Sequence, residues 1–293
     1  MTVNRPERLR QCLASLLAQT LSPDAFEVVL VDASSGVAAG VVEEFVARLR
    51  LVHHIGPNQG VAANRNAGVQ RAQSSMIACL DDDCVADRQW LEHVTAAVEA
   101  HPRSLVGGQV ENADPASACA VAGQVITEGV DAFFNAPGKA PRFFPGLSLA
   151  MRRSDYLAIG GCDERFGRLA AEDRDFADRW RLAGGVLVRC PNARVIHAHR
   201  RMLRGFARQY VNYGRGAWRY HQLRRQRGSG KMLDDLDLHF SMRRHLGPSL
   251  RAQAPWMRVK VVLLLVVWQL ANLAGFVWQG TLETVVRRSE EHG

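Results

Sequence analysis

Short apolar runs alternate with amphipathic segments along the first 110 residues, and this alternation limits the fold more than any other feature of the chain. The runs are rich in Val, Ile and Leu, as buried strands are, and lie at 26–31, 51–55, 76–80 and 105–110. Apolar side chains recur every three or four residues between them, which predicts helices at 6–19, 41–49, 60–72 and 87–100. This order is typical of an α/β fold with a mainly parallel sheet and helices on both faces. From 110 to 200 the pattern is less regular.

The composition is that of a globular protein. Of the 293 residues, 47% are hydrophobic and 23% are charged, which excludes a disordered chain, a collagen-like chain and a multi-span membrane protein. The six cysteines form no C-x-x-C pair, so a zinc site or a disulfide framework is not expected. This cysteine usage fits a reducing, cytosolic setting.

The positive charge of the chain is concentrated in one block. Nine of its 37 basic residues are arginines between 200 and 230, where there is no Asp or Glu, so 28 basic residues remain against 29 acidic ones. Such a block suits phosphate groups, either on a diphosphate ligand or on anionic lipid head groups. A solvated helix face is the plain alternative. Nucleic acid is not expected as a partner, because no recognised binding module accompanies the arginines.

Carboxylates follow two of the predicted strands. Asp32 ends the first, and Asp81, Asp82 and Asp83 follow the strand at 76–80. Ligands bind at the carboxyl ends of strands in such sheets. Alternation along an extended chain lets Asp81 and Asp83 converge while Asp82 faces elsewhere. Carboxylates completed by water and a diphosphate are the usual ligands of Mg²⁺ or Mn²⁺; a solvated turn that caps the following helix is the alternative.

A polar segment punctuated by glycines precedes the third helix. Residues 56–68 read GPNQGVAANRNAG and contain Asn58, Arg65 and Asn66. The amides of a helix N-terminus and an arginine suit the anionic or carbonyl groups of a nucleotide. An ordinary helix cap explains the same residues.

An uncharged stretch of 18 residues lies near the C-terminus. Residues 261–278 contain only Gln269 and Asn272 as polar interruptions, and about 20 residues cross a bilayer core. We expect a membrane-associating helix at 259–280, with a docked hydrophobic helix or an oligomer contact as the alternative. The expected organisation is a catalytic domain at 1–220, a basic and polar linker at 221–258, this helix, and a polar tail at 281–293.

Several segments together resemble one enzyme family. They occur in order at 4–20, 29–32, 58–68, 80–83, 144–166, 171–176 and 195–197. With Leu80-Asp-Asp-Asp83 as the D-x-D motif, the chain over about 4–220 resembles the family 2 glycosyltransferases of the GT-A fold, of the bacterial membrane-associated type. The resemblance implies an inverting transfer of a sugar from a nucleotide-diphosphate donor to the hydroxyl of a saccharide or lipid-linked acceptor.

The resemblance also implies roles for individual residues. Asp83 and His197 would hold Mn²⁺ or Mg²⁺, and Asp173 would be the catalytic base with Glu172 beside it. Donor contacts are implied for Asp32, Asn58, Arg65, Asn66, Asp81 and Asp82. Acceptor-side positions are implied at Gly146, Arg152 and Arg153. From the residues alone, Glu172 and Asp173 also suit an acidic helix start, and His197 suits a structural imidazole at a strand edge. The implied setting is cell-envelope glycan or glycolipid synthesis at the cytoplasmic face of the membrane.

The start of the chain departs from the family pattern. Members open with an apolar strand before the Asn-Arg-Pro segment, and here only Met1, Thr2 and Val3 precede Asn4. We expect a start further upstream, another segment in the same position, or an inactive copy. A catalytically silent nucleotide-sugar-binding or scaffold protein is therefore the alternative function. A hydrolase that uses paired carboxylates without metal is a third possibility.

Overall fold

The computed structural model describes residues 1–34, 36–56, 58–235, 239–240 and 242–291. The helices are α1 (Pro6–Leu17), α2 (Ala39–Phe45), α3 (Val61–Arg71), α4 (Trp90–Ala100), α5 (Ala118–Phe134), α6 (Arg153–Ala158), α7 (Glu172–Leu182), α8 (Leu203–Arg227), α9 (Met242–Arg251) and α10 (Pro255–Glu291). The strands are β1 (Val28–Asp32), β2 (Leu51–Ile55), β3 (Met76–Leu80), β4 (Cys84–Ala86), β5 (Ser104–Asn112), β6 (Ser148–Arg152) and β7 (Val186–His197). The predicted strands and helices of the first 110 residues are all present.

The described strands form two sheets. β1 and β2 pair in parallel, with Val28 opposite Leu51. The other five follow the order β3-β6-β5-β7-β4, and the pairs β3–β6, β5–β6 and β4–β7 are antiparallel. The α/β class is confirmed, and the ladders refine the expected mainly parallel sheet to a mixed one. The antiparallel strands β6 and β7 come from the region that the sequence pattern leaves irregular.

That irregular region also contains α5, a helix of 17 residues. Its N-cap is Ser117, whose hydroxyl accepts a hydrogen bond from the amide of Ala120. Glycine occurs at 123 and 129 within this helix because neighbouring side chains pack closely there. A Cβ on Gly123 would come within 2.8 Å of His199, and one on Gly129 within 2.0 Å of Leu246. The helix is buried on several sides, so its sequence lacks the one-sided periodicity that identifies a surface helix.

Thr2 takes one position of a ladder beside β1. It forms a parallel bridge with Asp32, its amide donates to the carbonyl of Val31, and its carbonyl accepts from the amide of Ala33, each bond at 3.0 Å. The first strand that the family pattern calls for is thus represented, among the described residues, by a single bridge.

The chain divides into two compact units. Unit 1 comprises 1–111, 138–168 and 176–198 and contains both sheets. Its apolar cores lie around α1, α2 and β1, and around α4, β5 and β7. Pro6 begins α1 at a position where a helix needs no amide donor, and this start places the chain's first residues beside the ends of β1 and β3.

Unit 2 comprises 112–137, 169–175 and 199–293 and is helical. Its core joins α5, α8, α9 and α10. α8 ends at Gly228, which adopts the left-handed conformation that closes many helices. The part of α10 from Pro255 to Val285 contains an 18-residue window with a mean hydropathy of 2.1 and is long enough to cross a membrane, a test that core helices of soluble proteins also pass.

Candidate functional site

Three carboxylates follow β3 in unit 1, and we call Asp81, Asp82 and Asp83 the acidic corner. Asp82 is buried and accepts hydrogen bonds from the Thr2 hydroxyl at 2.7 Å and from Arg5 Nη1 at 3.1 Å. The same Nη1 donates to Asp83 Oδ2 at 2.6 Å. One guanidinium therefore neutralises part of the charge of two adjacent carboxylates.

His197 faces the acidic corner from the end of β7. Its Nε2 lies 3.5 Å from Asp83 Oδ1, and the amide of Ala198 donates to the carbonyl of Asp83 at 2.9 Å. The β4–β7 ladder, in which Cys84 pairs with His197, fixes this approach. A carboxylate oxygen and an imidazole nitrogen are both ligands that Mn²⁺ accepts.

The described residues contain no group of three or more His, Cys, Asp and Glu side chains arranged to hold a metal ion. Asp83 and His197 alone fit a cation that takes its other ligands from water and a diphosphate, as Mg²⁺ does at nucleotide sites. The acidic corner therefore suits a metal that arrives with its nucleotide.

Burial governs the electrostatics of Asp82. Burial raises the pKa of its carboxyl above the ordinary value, while Arg5 and the Thr2 hydroxyl act in the opposite direction and the charge of Asp83 adds to the rise. Arg5 therefore favours the charged form of the Asp82 carboxyl.

Asp32 is fully buried at the end of β1. Its Oδ1 accepts from the amide of Ser34 at 2.8 Å and from the Ser34 hydroxyl, and its Oδ2 lies 3.4 Å from His53 Nε2. These contacts orient the carboxylate within unit 1.

The segment before α3 packs against the loop that follows Phe166. The carbonyl of Asn58 accepts from Arg168 Nε at 3.1 Å and from Nη2 at 2.9 Å. Gly60 has a φ of +115°, and a Cβ there would lie 1.6 Å from the carbonyl oxygen of Gly167. Only glycine fits this position, since it combines a left-handed backbone with contact between two main chains.

Arg65 and Asn66 bind the segment expected on the acceptor side. Arg65 Nη2 donates to the carbonyl of Gly146 at 3.1 Å. Asn66 Oδ1 accepts from the Tyr156 hydroxyl at 2.5 Å and from the amide of Cys162 at 2.9 Å, and its Nδ2 donates to the carbonyl of Cys162 at 2.9 Å. These two side chains position the loop rather than standing open to solvent.

The two arginines that the resemblance places on the acceptor side, Arg152 and Arg153, lie where β6 meets α6. Arg152 ends β6 and is half-buried. Arg153 donates from Nε to the carbonyl of Val69 at 3.0 Å and from Nη2 to that of Gln70 at 3.3 Å, so it covers carbonyls near the C-terminus of α3.

Glu172 and Asp173 begin α7, and this first turn belongs to unit 2. Glu172 is buried, and Asp173 Oδ1 accepts from the amide of Arg174 at 2.8 Å. The Arg174 guanidinium lies over the rings of Tyr220, at 4.5 Å, and Phe134, at 5.0 Å. Such stacking on both rings restrains the residue beside Asp173.

Asp175, in the same first turn of α7, is fully buried and forms an ion pair with Arg227 Nη1 at 2.6 Å. This pair ties α7 to the end of α8 within unit 2.

Sequence reasoning missed Thr2, Arg5, His53 and the role of Arg227. Only Arg5 carried a signal, as the cation directly before the first helix of a chain with an acidic triplet.

The arginine block serves unit 2 internally over much of its length. Arg215 donates to Gln279 Oε1 at 3.0 Å, Arg219 pairs with Glu283 at 2.7 Å, and Arg224 lies 5.3 Å from the ring centre of Tyr220. Five arginines of the block are exposed: Arg200, Arg201, Arg204, Arg208 and Arg225. Arg201 pairs with Asp114 at 2.7 Å.

Comparisons with known proteins agree on one kind of enzyme. The model of the family described as Glycosyl transferase family 2 matches residues 1–154. A glucosyl-dolichyl phosphate glucuronosyltransferase of Haloferax volcanii is 27% identical over 176 residues, 59% of this chain and 47% of that protein. An uncharacterized glycosyltransferase of Haemophilus influenzae is 26% identical over 246 residues, 79% of this chain and 85% of that protein. The chain spans about half the length of the first curated relatives that it matches.

Among solved structures, a mannosyltransferase from Pyrobaculum calidifontis in complex with GDP-Man and Mn²⁺ superposes with a TM-score of 0.64. The match covers 97% of this chain and 85% of that one at 16% identity. A likeness at this identity shows the fold, and the fold is the GT-A-like arrangement that the motifs imply.

Proposed function

The chain belongs to glycosyl transferase family 2, and we propose that it transfers a sugar from a nucleotide-diphosphate donor to an acceptor hydroxyl with inversion. The observation that carries the proposal is the acidic corner: three carboxylates at the end of β3, with His197 Nε2 3.5 Å from Asp83. Adjacent carboxylates with an imidazole beside them suit a metal-bound diphosphate.

Asp83 and His197 would hold the divalent cation, Mn²⁺ or Mg²⁺. When bound, such a cation would supply positive charge to offset the negative charge that develops on the departing diphosphate. The Mn²⁺ in the solved mannosyltransferase complex supports a metal of this class. Asp81 and Asp82 belong to the donor side, where Asp82 is held in place by Thr2 and Arg5.

Asp32, Asn58, Arg65 and Asn66 complete the proposed donor side. Asp32 would accept a hydrogen bond from the base, because its carboxylate is already oriented by Ser34 and His53. Arg65 and Asn66 act by holding the 146–164 segment, which contains the proposed acceptor-side residue Gly146. Arg152 and Arg153 stay on the acceptor side in this proposal.

Asp173 is the proposed general base, which takes the proton of the acceptor hydroxyl as that oxygen attacks the sugar. Its position in the first turn of α7 keeps the carboxylate near helix amides, and Arg174 beside it is held between Tyr220 and Phe134. Buried Glu172 directly precedes Asp173 in the chain and would orient it.

The test separates donor binding from chemistry. Thermal unfolding is measured with UDP, GDP or TDP, each with and without Mn²⁺, because a ligand of the folded state raises the melting temperature. Asp83→Ala should abolish the Mn²⁺-dependent rise. Asp173→Asn should keep the rise and lose at least a thousandfold in transfer, while the exposed control Asp24→Asn keeps both. Near-normal turnover by Asp173→Asn would refute its role as base.

We further propose a saccharide or lipid-linked acceptor in cell-envelope glycan or glycolipid synthesis, with unit 1 at the cytoplasmic face of an anionic membrane. The name of the Haloferax relative, with its dolichyl phosphate, supports a lipid-linked acceptor. The apolar part of α10 supports the membrane. Transfer of radiolabelled sugar into organic-extractable material of a membrane fraction would test the acceptor class.

A silent nucleotide-sugar-binding or scaffold protein is the second candidate. It is favoured by the contacts of Arg5 with Asp82 and Asp83, which place a cation of the chain itself at these carboxylates. Under this alternative, Mn²⁺ and a nucleotide diphosphate still raise the melting temperature, but neither transfer nor slow donor hydrolysis occurs.

A further inference from the structure

Both sides of α10 between 261 and 280 are mainly apolar, but one side is buried in unit 2 and the other is exposed. One side is buried in the core of unit 2 and includes Met257, Val261, Leu265 and Trp268. Every exposed side chain between 261 and 280 on the other side is apolar: Val262, Leu263, Val266, Leu270, Leu273, Ala274, Val277 and Trp278. We call these eight residues the apolar face.

The apolar face is long and open. Its seven larger side chains are between 43% and 64% exposed. At 1.5 Å per residue the 20 residues extend about 30 Å along the helix. A soluble monomer rarely leaves a continuous apolar surface of this kind in water, so something covers it.

The neighbouring helix argues against a membrane span. α8 runs beside α10 in the same direction: a Cβ on Gly214 would meet the carbonyl of Asn272 at 1.9 Å, and Arg219 pairs with Glu283 further on. Tyr210 and Trp268 are ring neighbours, with centroids 6.3 Å apart. A spanning α10 would therefore carry the exposed Arg208 into hydrocarbon, where an arginine without a partner is costly.

The residues around the apolar face favour lipid over a second copy of the chain. Val259, Leu263, Val266, Leu270, Leu273 and Val277 follow the alternating four- and three-residue spacing of a helix-pair seam. In a helix pair, however, polar residues flank the seam and meet water. Here the flanking positions Val262, Ala274 and Trp278 are apolar and exposed, so a pair would leave them in water, whereas a bilayer covers them.

Charge points to the same partner. The acid-free block contains the exposed Arg200, Arg204, Arg208 and Arg225 in the same unit as α10, and Lys260 lies 5.2 Å from the ring of exposed Trp256 at the start of the helix. Trp256 and Trp278 stand at the two ends of the apolar segment, and tryptophan favours the boundary between head groups and acyl chains.

We propose that α10 lies in the plane of an anionic bilayer surface, with the apolar face inserted into one leaflet and the exposed arginines of α8 meeting lipid phosphates. The inference deepens the membrane association in the proposed function and does not depend on sugar transfer. It assigns attachment to one leaflet, without a crossing.

The first test measures binding of the full chain to vesicles of phosphatidylglycerol or phosphatidylcholine. The parent should bind the anionic vesicles, and Leu263→Glu with Leu270→Glu should lower the partition coefficient at least tenfold. Val46→Glu with Leu182→Glu is the matched control, since both side chains are exposed apolar residues of unit 1. Arg204→Gln and Arg208→Gln should each lower binding to the anionic vesicles about fivefold. Unchanged melting temperatures show that the variants are folded.

The second test distinguishes lying on the bilayer from crossing it. Ala254→Cys and Thr281→Cys place thiols at exposed positions near the two ends of the apolar segment, in a chain whose native cysteines are buried or half-buried. With protein added to preformed vesicles, an impermeant maleimide should label both from outside. Protection of Thr281→Cys until detergent is added would overturn the inference.

Absence of vesicle binding, together with a dimer that Leu270→Glu dissociates, would also overturn it in favour of a second copy. Binding of UDP and Mn²⁺ is followed on the same variants. If the unmodified chain binds vesicles but no nucleotide, the proposed sugar transfer is contradicted and this inference stands. If it binds nucleotide but no vesicles, this inference is contradicted and the proposed sugar transfer stands.

Discussion

At the scale of single residues, the acidic corner is paired with a cation from the same chain, Arg5. Arg5 Nη1 contacts both Asp82 and Asp83, and Asp83 is also the residue proposed to bind the metal. A guanidinium and a divalent cation near the same carboxylates repel each other, so Arg5 opposes metal binding and stabilises the corner when metal is absent. The balance between them is measurable.

We predict that Arg5→Gln lowers the melting temperature in EDTA, because it leaves buried Asp82 without its charged donor, a loss of roughly 1–3 kcal/mol. The same variant should gain more stability from Mn²⁺ than the parent, and its Mn²⁺ affinity by calorimetry should rise. Arg10→Gln is the matched control, since Arg10 pairs with Glu44 on the surface of unit 1. Weaker Mn²⁺ binding by Arg5→Gln would contradict the competition.

A second residue-scale prediction concerns Asp175 and Arg227. Arg227→Met should destabilise the protein by about 3–5 kcal/mol, because it removes a cation that lies 2.6 Å from a fully buried carboxylate. The double variant Asp175→Leu with Arg227→Met should recover most of this loss in chemical denaturation. The exposed neighbour Arg225→Met serves as control. A single variant as stable as the parent would show that the pair contributes little.

The sequence predicts the residues that belong to local motifs, but not the distant residues that contact them. The D-x-D pattern and the segment ending in His197 predict carboxylates and an imidazole at strand ends, and the structure places Asp83 and His197 within 3.5 Å. No local pattern predicts that Arg5 or Thr2 contacts residues 77 to 80 positions away. Such partners depend on how the chain closes, so the resemblance implied donor contacts for Arg65 and Asn66 without revealing their loop partners.

At the scale of elements, periodicity predicts the first part of the fold well. The helix expected at 60–72 is observed as Val61–Arg71, and the strand expected at 76–80 is Met76–Leu80. It fails for α5, which is buried on several sides, and for the direction of β6 and β7, because ladder direction is decided by pairing between distant segments. Helical periodicity therefore identifies helices that have one solvent-exposed face.

The contact between α8 and α10 gives an element-scale prediction. A Cβ on Gly275 would lie 2.0 Å from the carbonyl oxygen of Val211, so Gly275→Ala should force the helices apart and cost about 1–3 kcal/mol of unfolding free energy. Gly205→Ala is the matched control in α8, because its Cβ meets nothing closer than 3.8 Å. This control should be neutral or stabilising by up to about 1 kcal/mol. Equal stability of both variants would refute the close approach.

At the scale of the whole molecule, the thiols share one chemical state. All six cysteines are free. Burial raises the pKa of Cys12 to about 12, and burial also raises the pKa of Cys79, Cys119 and Cys190. The fold therefore keeps these four thiols protonated at neutral pH, because a thiolate would lose its solvation inside the protein.

We predict that the native protein resists thiol reagents. At pH 8 a pKa of about 12 leaves a thiolate fraction on the order of 10⁻⁴ at Cys12. Mass spectrometry after alkylation should find Cys12 unmodified in the folded state and all six cysteines modified in guanidinium chloride. Dithiothreitol should leave the melting temperature unchanged. A fall in melting temperature under reduction would contradict free thiols.

The bridge at Thr2 has a kinetic consequence for β1. Because Val31 and Ala33 bond to Thr2, the odd-numbered residues of this strand direct their amides toward that side, and the even-numbered ones direct theirs toward β2. In the described part of the chain, Thr2 supplies the only ladder contact on the odd side. Deuterium should therefore replace the amide protons of Val29 and Val31 quickly and those of Val28 and Leu30 slowly, an alternation of isotope uptake along a single strand.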